Sequence, residues 1–384
     1  RRMTPPATRR ILFVKRVLCD YQVPFFLALQ PRLAADGIAL AIAAGRPRPN
    51  EGLTDGLDQV PFATPTPLVP IGPLYWTRAI PPGRADLLLL EQASAQLVNY
   101  PRLAIRAFGG GPITALVGHG AHFNRAGRAP FRDAWRRFWL RRADWFFAYT
   151  PRAARAVEQA GFPADRITVF ENTVDTRAWQ VALDAVSEPE RQRLRFALFQ
   201  ETEPRPTGLF CGRLVAEKEI PFLLHSLTLL HRRLPDFRMI LIGDGPERDA
   251  VKSFCAETNW CRWVGRHTGA DRAPYFRLAS LFLHPAPIGL ALLDAFAAAL
   301  PVATTRSDRH GPEIDYLTPG VNGLATEPDP IAFATASAAL LADAAACVAF
   351  GQAARREAQT HSVERMADLF ADGIRRALNR SRTP

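Results

Sequence analysis

Twice along this chain, short apolar runs of strand type alternate with stretches of helical period, and the alternation restarts after a polar interruption. In the first half the runs fall at residues 11–14, 38–43, 86–90 (DLLLL), 113–117, 145–148 and 167–170. In the second they fall at 209–214, 239–242, 263–265, 281–283 and 302–304. Helices are predicted between them, among others over 95–108 and 151–160. Continuous apolar runs separated by helices belong to parallel sheets covered on both faces. Two such series in one chain predict an α/β protein of two Rossmann-like domains that face each other, with a cleft between the carboxyl edges of their sheets. Periodicity weakens and charge density rises around SEPERQRLRF. The first domain is therefore expected over 1–176, a linker over 177–206 and the second domain over 207–360. The run SVERMADLFADGIRRAL puts Val363, Met366, Leu369, Phe370 and Ile374 on one side of an amphipathic helix, so 361–384 is expected to return to the first domain. Residues 46–82, rich in Pro and Gly, carry no clear pattern apart from a strand near 68–71.

With 384 residues and 48% hydrophobic content, the chain is long enough for two separate cores. Its net charge of +11 favours anionic partners. The only lysines are Lys15, Lys218 and Lys252, and an arginine excess of this kind partly reflects a G+C-rich genome, which weakens charge as a functional signal. No basic stripe with stacking aromatics forms a nucleic-acid module, so nucleic acid is not an expected partner. Five scattered cysteines without C-x-x-C spacing predict reduced thiols, with neither a disulfide framework nor a zinc site. No apolar run approaches the ~20 residues needed to span a bilayer. The basic start, RRMTPPATRR, is followed by only a short apolar strand. The expected location is cytoplasmic, with a peripheral position at the inner membrane face as the alternative.

Three stretches carry chemistry. In PAPIGLALLDAFAAALP (285–301) a strand gives way to a turn at Gly289 and to a helix beginning near Leu290. Backbone N–H groups at such a turn suit a diphosphate, and Asp294, one turn on, suits a ribose or sugar hydroxyl. The bland alternative is a buried crossover. In CGRLVAEKEI (211–220) Arg213 at a strand end and Lys218 across a loop can converge on one anion, the guanidinium fixing orientation and the ammonium adding a point charge. The alternative is two solvated charges. In VGHG (117–120), His119 follows a buried strand and is flanked by glycines, which permits close approach of a ligand. A fourth stretch, FRDAWRRFWLRRADWFF (131–147), interleaves aromatics with arginines. It reads either as an interfacial helix on an anionic membrane or as an ordinary amphipathic helix packed on the first sheet.

CGRLVAEKEI, LIGDGPERDAV, WVGR, PIGLALLDAFAAALPVATT and HGPEIDYLTPGVNGL resemble, in the same order, the second domain of the family 4 glycosyltransferases. LCDYQVPFF, VGHGAHFNR and RADWFFAYTPRAARAVEQAGFPADRITVFENTVDT resemble the first domain of a subset of that family. The resemblance implies a GT-B fold. It implies retaining transfer of a sugar from a nucleoside diphosphate donor to an acceptor hydroxyl, without metal or other cofactor, in polysaccharide or glycolipid assembly. It further implies a sugar or lipid-linked acceptor. His119, Arg213 and Lys218 become the catalytic candidates. Gly212, Arg213, Lys218, Arg266, Gly289, Leu290, Asp294 and Glu313 become the donor-binding set, and Asp20, Tyr21, His122 and Asn124 the acceptor side. One departure stands out: Ala286 occupies the position where many members carry a glutamate, and the second glutamate is the shorter Asp294. A catalytically silent nucleotide-sugar binder or scaffold is the alternative that this substitution leaves open.

Overall fold

The computed structural model describes residues 9–48, 51, 53–77, 85–120 and 130–380. The chain divides into two compact units. It passes from the first to the second between Asn172 and Thr173, and residues from Val363 onward belong to the first unit again.

The first unit contains strands β1 (Arg9–Val17), β2 (Ile38–Gly45), β3 (Ala63–Pro65), β4 (Leu68–Ile71), β5 (Leu74–Thr77), β6 (Leu87–Glu91), β7 (Ile113–Gly118), β8 (Trp145–Ala148) and β9 (Ile167–Val169). Seven of them form a parallel sheet in the order β3-β2-β1-β6-β7-β8-β9, while β4 and β5 make a separate antiparallel hairpin. The DLLLL run shows why such strands carry no polar alternation. Leu87 and Leu89 join the core on one face, and Leu88 and Leu90 the core on the other. Helices α1 (Val23–Ala34) and α13 (Val363–Arg380) cover the first face. Phe370 of α13 stacks on Phe147 at 4.2 Å and meets Phe170 edge-on at 5.1 Å. The helix approaches so closely that a Cβ on Gly373 would lie 2.6 Å from Phe147 and from Thr168. Helices α2 (Asn99–Ala107), α3 (Pro130–Leu140) and α4 (Pro151–Gln159) lie in the chain segments joining β6 through β9. The helix expected over 95–108 begins only at Asn99, because 95–98 turn to receive the hairpin. Tyr75 donates its N–H to the Ala95 carbonyl at 2.9 Å, and Leu97 donates back to Tyr75 at 3.0 Å. The stretch without clear pattern thus supplies an edge strand and this hairpin.

The second unit holds β10 (Thr207–Cys211), β11 (Arg238–Ile242), β12 (Cys261–Gly265), β13 (Leu281–Leu283), β14 (Val302–Thr305) and β15 (Gly323–Thr326). All are parallel, in the order β12-β11-β10-β13-β14-β15. This is the doubly wound order, in which the winding reverses between β10 and β13 and leaves a crevice outside their carboxyl ends.

Residues 177–206 are not a linker. Helices α5 (Thr176–Asp184) and α6 (Glu188–Phe199) fill most of the stretch, capped by the side chains of Asp175 and Ser187. Both belong to the second unit, with Trp179 and Leu183 buried in its core. Two buried positions among many polar ones are too thin a stripe to announce a packed helix.

Candidate functional site

The reversal of winding brings the end of β10 beside the end of β13, and the loops there are bound to one another. After β10, Gly212 donates to Ile242 at 3.0 Å and Leu214 to the carbonyl of Asp244 at 2.9 Å. The approach demands glycine on the facing loop. A Cβ on Gly243 (φ +147) would sit 1.9 Å from the Gly212 carbonyl oxygen, and one on Gly245 (φ +153) 2.3 Å from that of Leu214. This backbone contact explains the glycines of LIGDGP.

Lys218 reaches across the crevice and donates its Nζ to the carbonyl of Pro287. Burial pushes its ammonium down to about 8, the nearby Arg213 guanidinium adds to the fall, and Glu217 opposes it. Arg213 itself is exposed. The loop that Lys218 grips is fixed from the other side by His310. Its Nδ1 accepts the N–H of Ile288 at 3.1 Å, and its Nε2 donates to the Thr305 carbonyl at 2.7 Å, which defines a neutral tautomer. Gly311 donates to the carbonyl of the same Ile288 at 2.9 Å. Thr304 and Thr305 both donate their hydroxyls to Pro285. The chain then turns at Gly289 into α10 (Ala291–Ala297). Among the described residues no backbone acceptor meets the N–H groups of Gly289 and Leu290. The buried carboxylate of Glu313 lies alongside, with Oε2 3.7 Å from where a Cβ on Gly289 would stand. Arg266, exposed, follows Gly265 at the end of β12, and the Gly265 carbonyl accepts the N–H of Gly243 at 2.8 Å. Gly212, Arg213, Lys218, Arg266, Gly289, Leu290 and Glu313 therefore share one carboxyl edge.

Asp294 has a different partner from the hydroxyl expected of it. Its Oδ2 accepts from Arg272 at 2.7 Å in a pair that is largely buried. The Arg272 guanidinium lies 4.8 Å from the Trp179 ring, and Trp179 donates its indole N–H to the Asp294 carbonyl at 2.9 Å. Burial works against the charge of Arg272, but Asp294 and Cys211 overcome it and hold the group more basic than usual. Arg272 and Trp179 escape sequence reasoning because they come from separate segments that only tertiary packing joins. His284, at the end of β13, is the other residue missed. It is fully buried, stacks on Phe210 at 5.0 Å, and among the described residues neither ring nitrogen has a hydrogen-bond partner. Burial first, and then the ammonium of Lys218, hold its imidazole neutral, well below the usual range.

In the first unit, His119 stands exposed beyond β7, its ring edge-on to Tyr149 at 4.4 Å. The glycines beside it are required by contact. A Cβ on Gly118 would lie 2.7 Å from that of Gln92, and one on Gly120 (φ +71) 2.3 Å from Val157. Gln92 pins the turn by accepting the Gly120 N–H at 2.8 Å and donating to its carbonyl at 3.4 Å. No sequence signal marked this glutamine. Asp20 and Tyr21 follow β1. Asp20 Oδ1 accepts the Tyr21 N–H at 2.7 Å, and Tyr21 is 45% exposed. At the same edge the buried Lys15 is paired with Glu91 at 2.6 Å, joining the ends of β1 and β6. His122 and Asn124 lie outside the described residues.

The aromatic and basic stretch over 131–147 splits in two. Trp145, Phe146 and Phe147 are buried in β8, whereas Phe131, Trp135 and Phe138 are 80%, 42% and 46% exposed on α3. Trp139 turns inward against Tyr100 at 5.2 Å. Arg142 caps the exposed side, its guanidinium 3.3 Å from the Phe138 ring. Phe108, 92% exposed, and Ile105, 48% exposed, add apolar surface on α2 and the residue that ends it.

Comparison with known proteins bears on both units. A model described as glycosyltransferase family 4 matches residues 25–178, and one described as glycosyl transferases group 1 matches residues 205–343. A lipopolysaccharide core biosynthesis glycosyltransferase of Rhizobium meliloti is 27% identical over 212 residues, which are 53% of this chain and 56% of that protein. A GDP-mannose-dependent alpha-(1-6)-phosphatidylinositol monomannoside mannosyltransferase of Mycolicibacterium smegmatis is 28% identical over 54% of this chain and 52% of its own length. The chain thus spans about half the length of these curated relatives. Among solved structures, HepE of Anabaena in complex with UDP superposes with a TM-score of 0.69 at 17% identity, over 95% of this chain and 99% of that one. A glycosyltransferase of Rickettsia africae gives 0.70 at 13%, over 98% and 100%. These likenesses, with the two parallel-sheet units, show the GT-B fold.

Proposed function

The chain belongs to glycosyltransferase family 4, and from that premise we propose that it moves a sugar from a nucleoside diphosphate donor to an acceptor hydroxyl with retention of configuration. The observation that carries this reading is the edge of the second unit, where Lys218 holds the loop leading to Gly289. Arg213 lies near enough to perturb its charge, and among the described residues the N–H groups of Gly289 and Leu290 have no backbone acceptor. Such a set meets the charge that grows on a departing diphosphate, and each contact of this kind is worth ~2 to 4 kcal/mol in the transition state. Donor binding would also give these amides an acceptor from the diphosphate.

In the proposed reaction the acceptor oxygen bonds to the anomeric carbon as the bond from that carbon to the diphosphate breaks. The acceptor proton passes to the departing phosphate oxygen on the same face, so no separate general base is needed. His119 is assigned to the side of the donor sugar, Arg266 to the neighbourhood of the base, and Asp20 and Tyr21 to the acceptor. Ala286 leaves the usual carboxylate position empty, and the Glu313 carboxylate beside Gly289 is the group available to take its place. Asp294, engaged by Arg272, is assigned to positioning α10 rather than to a hydroxyl. The test is release of nucleoside diphosphate from a panel of nucleotide sugars. A retaining transferase leaks some donor to water, and a silent binder frees none.

The acceptor is proposed to be a sugar or a lipid-linked saccharide, reached from the cytoplasmic face of a membrane. Support comes from Phe131, Trp135 and Phe138, exposed on a helix that also bears arginines. Among the described residues no single helix is long and apolar enough to cross a membrane, so attachment would be peripheral. Flotation with anionic liposomes tests this, and absence of binding at low salt removes it.

A further inference from the structure

The parallel sheet of the first unit has a second edge, at the amino ends of its strands, and a cavity of about 920 Å³ opens there. Arg9 begins β1, Asp86 precedes β6, Trp145 begins β8, Arg166 precedes β9 and Arg380 ends α13, and all five line it together with Arg106 of α2. His119 stands at the other end of β7, about 20 Å away at the usual rise of a strand. The volume is within the range of small-molecule sites.

Charge in this cavity is unevenly settled. Arg106 is bound by both oxygens of Asp144, at 2.6 and 3.0 Å, and Arg380 is paired with Asp165. The Asp86 carboxylate accepts the backbone N–H of Arg10 at 2.7 Å. Arg9 and Arg166, by contrast, have no carboxylate within ion-pair distance among the described residues, and there the Nε of Arg166 is shut off from solvent without an acceptor. A guanidinium nitrogen that gives up hydration without gaining a partner, as the Nε of Arg166 does here, is costly unless something else supplies the acceptor. The fixed fork of donors on each side chain matches the oxygens of a phosphate group. Apolar wall from Ile113, Trp145 and Leu378 leaves room for the remainder of such a molecule.

We propose that this cavity is a phosphate-binding site, separate from the donor site, in which Arg9 and Arg166 hold the phosphate group of a small molecule or of a lipid headgroup. It does not depend on the transferase reading, since none of its residues belongs to the second unit.

Binding of inorganic pyrophosphate to the whole chain, followed by calorimetry, tests the soluble source. Sedimentation with phosphatidylcholine vesicles, with and without phosphatidic acid, tests the lipid source. The expected result is one binding event that R166Q and R9Q each weaken about tenfold or more, beside a second event, at Arg213 and Lys218, that neither variant touches. Loss confined to pyrophosphate identifies a soluble ligand, and loss confined to phosphatidic acid identifies a headgroup. Isotherms and vesicle binding in both variants that superimpose on those of the unaltered chain would overturn the proposal, as would a chain that binds neither probe outside the donor site. Neither arginine has an ion-pair partner among the described residues, so thermal midpoints should stay in place. If R166Q proves unstable, R9Q carries the test alone.

Discussion

The carboxyl edges of the two sheets are alike in topology and differ in how they are held. In the second unit the loops after β10, β11, β13 and β14 are bound to their neighbours: Leu214 to Asp244, Lys218 to Pro287, and His310 and Gly311 to the N–H and the carbonyl of Ile288. In the first unit His119 projects beyond β7 on a turn that one glutamine holds, and the loop of Asp20 and Tyr21 is tied by the Asp20 N–H to the carbonyl of Thr54 at 3.1 Å. A diphosphate has the same shape in every donor, so a site for it can be built in advance and kept rigid. A sugar acceptor varies from enzyme to enzyme, and the side proposed for it lies on loops where His119 and Tyr21 are exposed.

The sharpest way to break this contrast is to remove one charge from the prebuilt edge. Lys218→Met should lower nucleotide release by about 100- to 1,000-fold, whereas Tyr21→Phe, on the open edge, should leave release to water within about twofold. Equal losses in a steady-state assay would mean that the two edges share the work. Glycines offer the next test. Gly120→Ala forces a Cβ against Val157 and the Ala153 carbonyl in a left-handed turn, and should cost the first unit about 1 to 3 kcal/mol in urea unfolding. Nucleoside diphosphate affinity should not change. Gly243→Ala should lower both. A third test uses pH. Lys218 is charged below about 8 and loses its proton above it, so affinity for a nucleoside diphosphate should fall as pH rises from 8 to 9, by up to about tenfold. A flat profile is expected for Lys218→Met. The smallest effect belongs to His284. Its folded imidazole stays neutral where the unfolded one takes up a proton, below about pH 6.5, so the chain should lose stability on acidification. The slope from this one group is at most about 1.4 kcal/mol per pH unit, and His284→Phe should reduce it in urea midpoints taken at pH 7 and 5.5.

The two parallel sheets were legible in the sequence because strands buried on both faces are spelled as continuous apolar runs, and 281–283 and 145–148 match β13 and β8 residue for residue. That Arg213 and Lys218 lie near one another could be read because their spacing within one βα unit is local. What escaped was set by contacts between distant segments. Gln92 looks like any polar loop residue until Gly120 is folded against it. Arg272 draws its meaning from Trp179 and Asp294, and the ion pair that holds Asp294 joins residues 22 positions apart. The helices that fill most of 177–206 read as linker in the sequence because they bury little of themselves.

The first core is assembled from chain on both sides of the second unit. Phe13, Phe147 and Phe170 all pack against Phe370 of α13, which follows the whole second unit in the chain. A ribosome making this protein therefore delivers the complete second unit while the first still lacks the helix that covers one face of its sheet. Until α13 arrives those phenylalanines stay uncovered, so chains stalled before residue 363 should be the ones that chaperones hold.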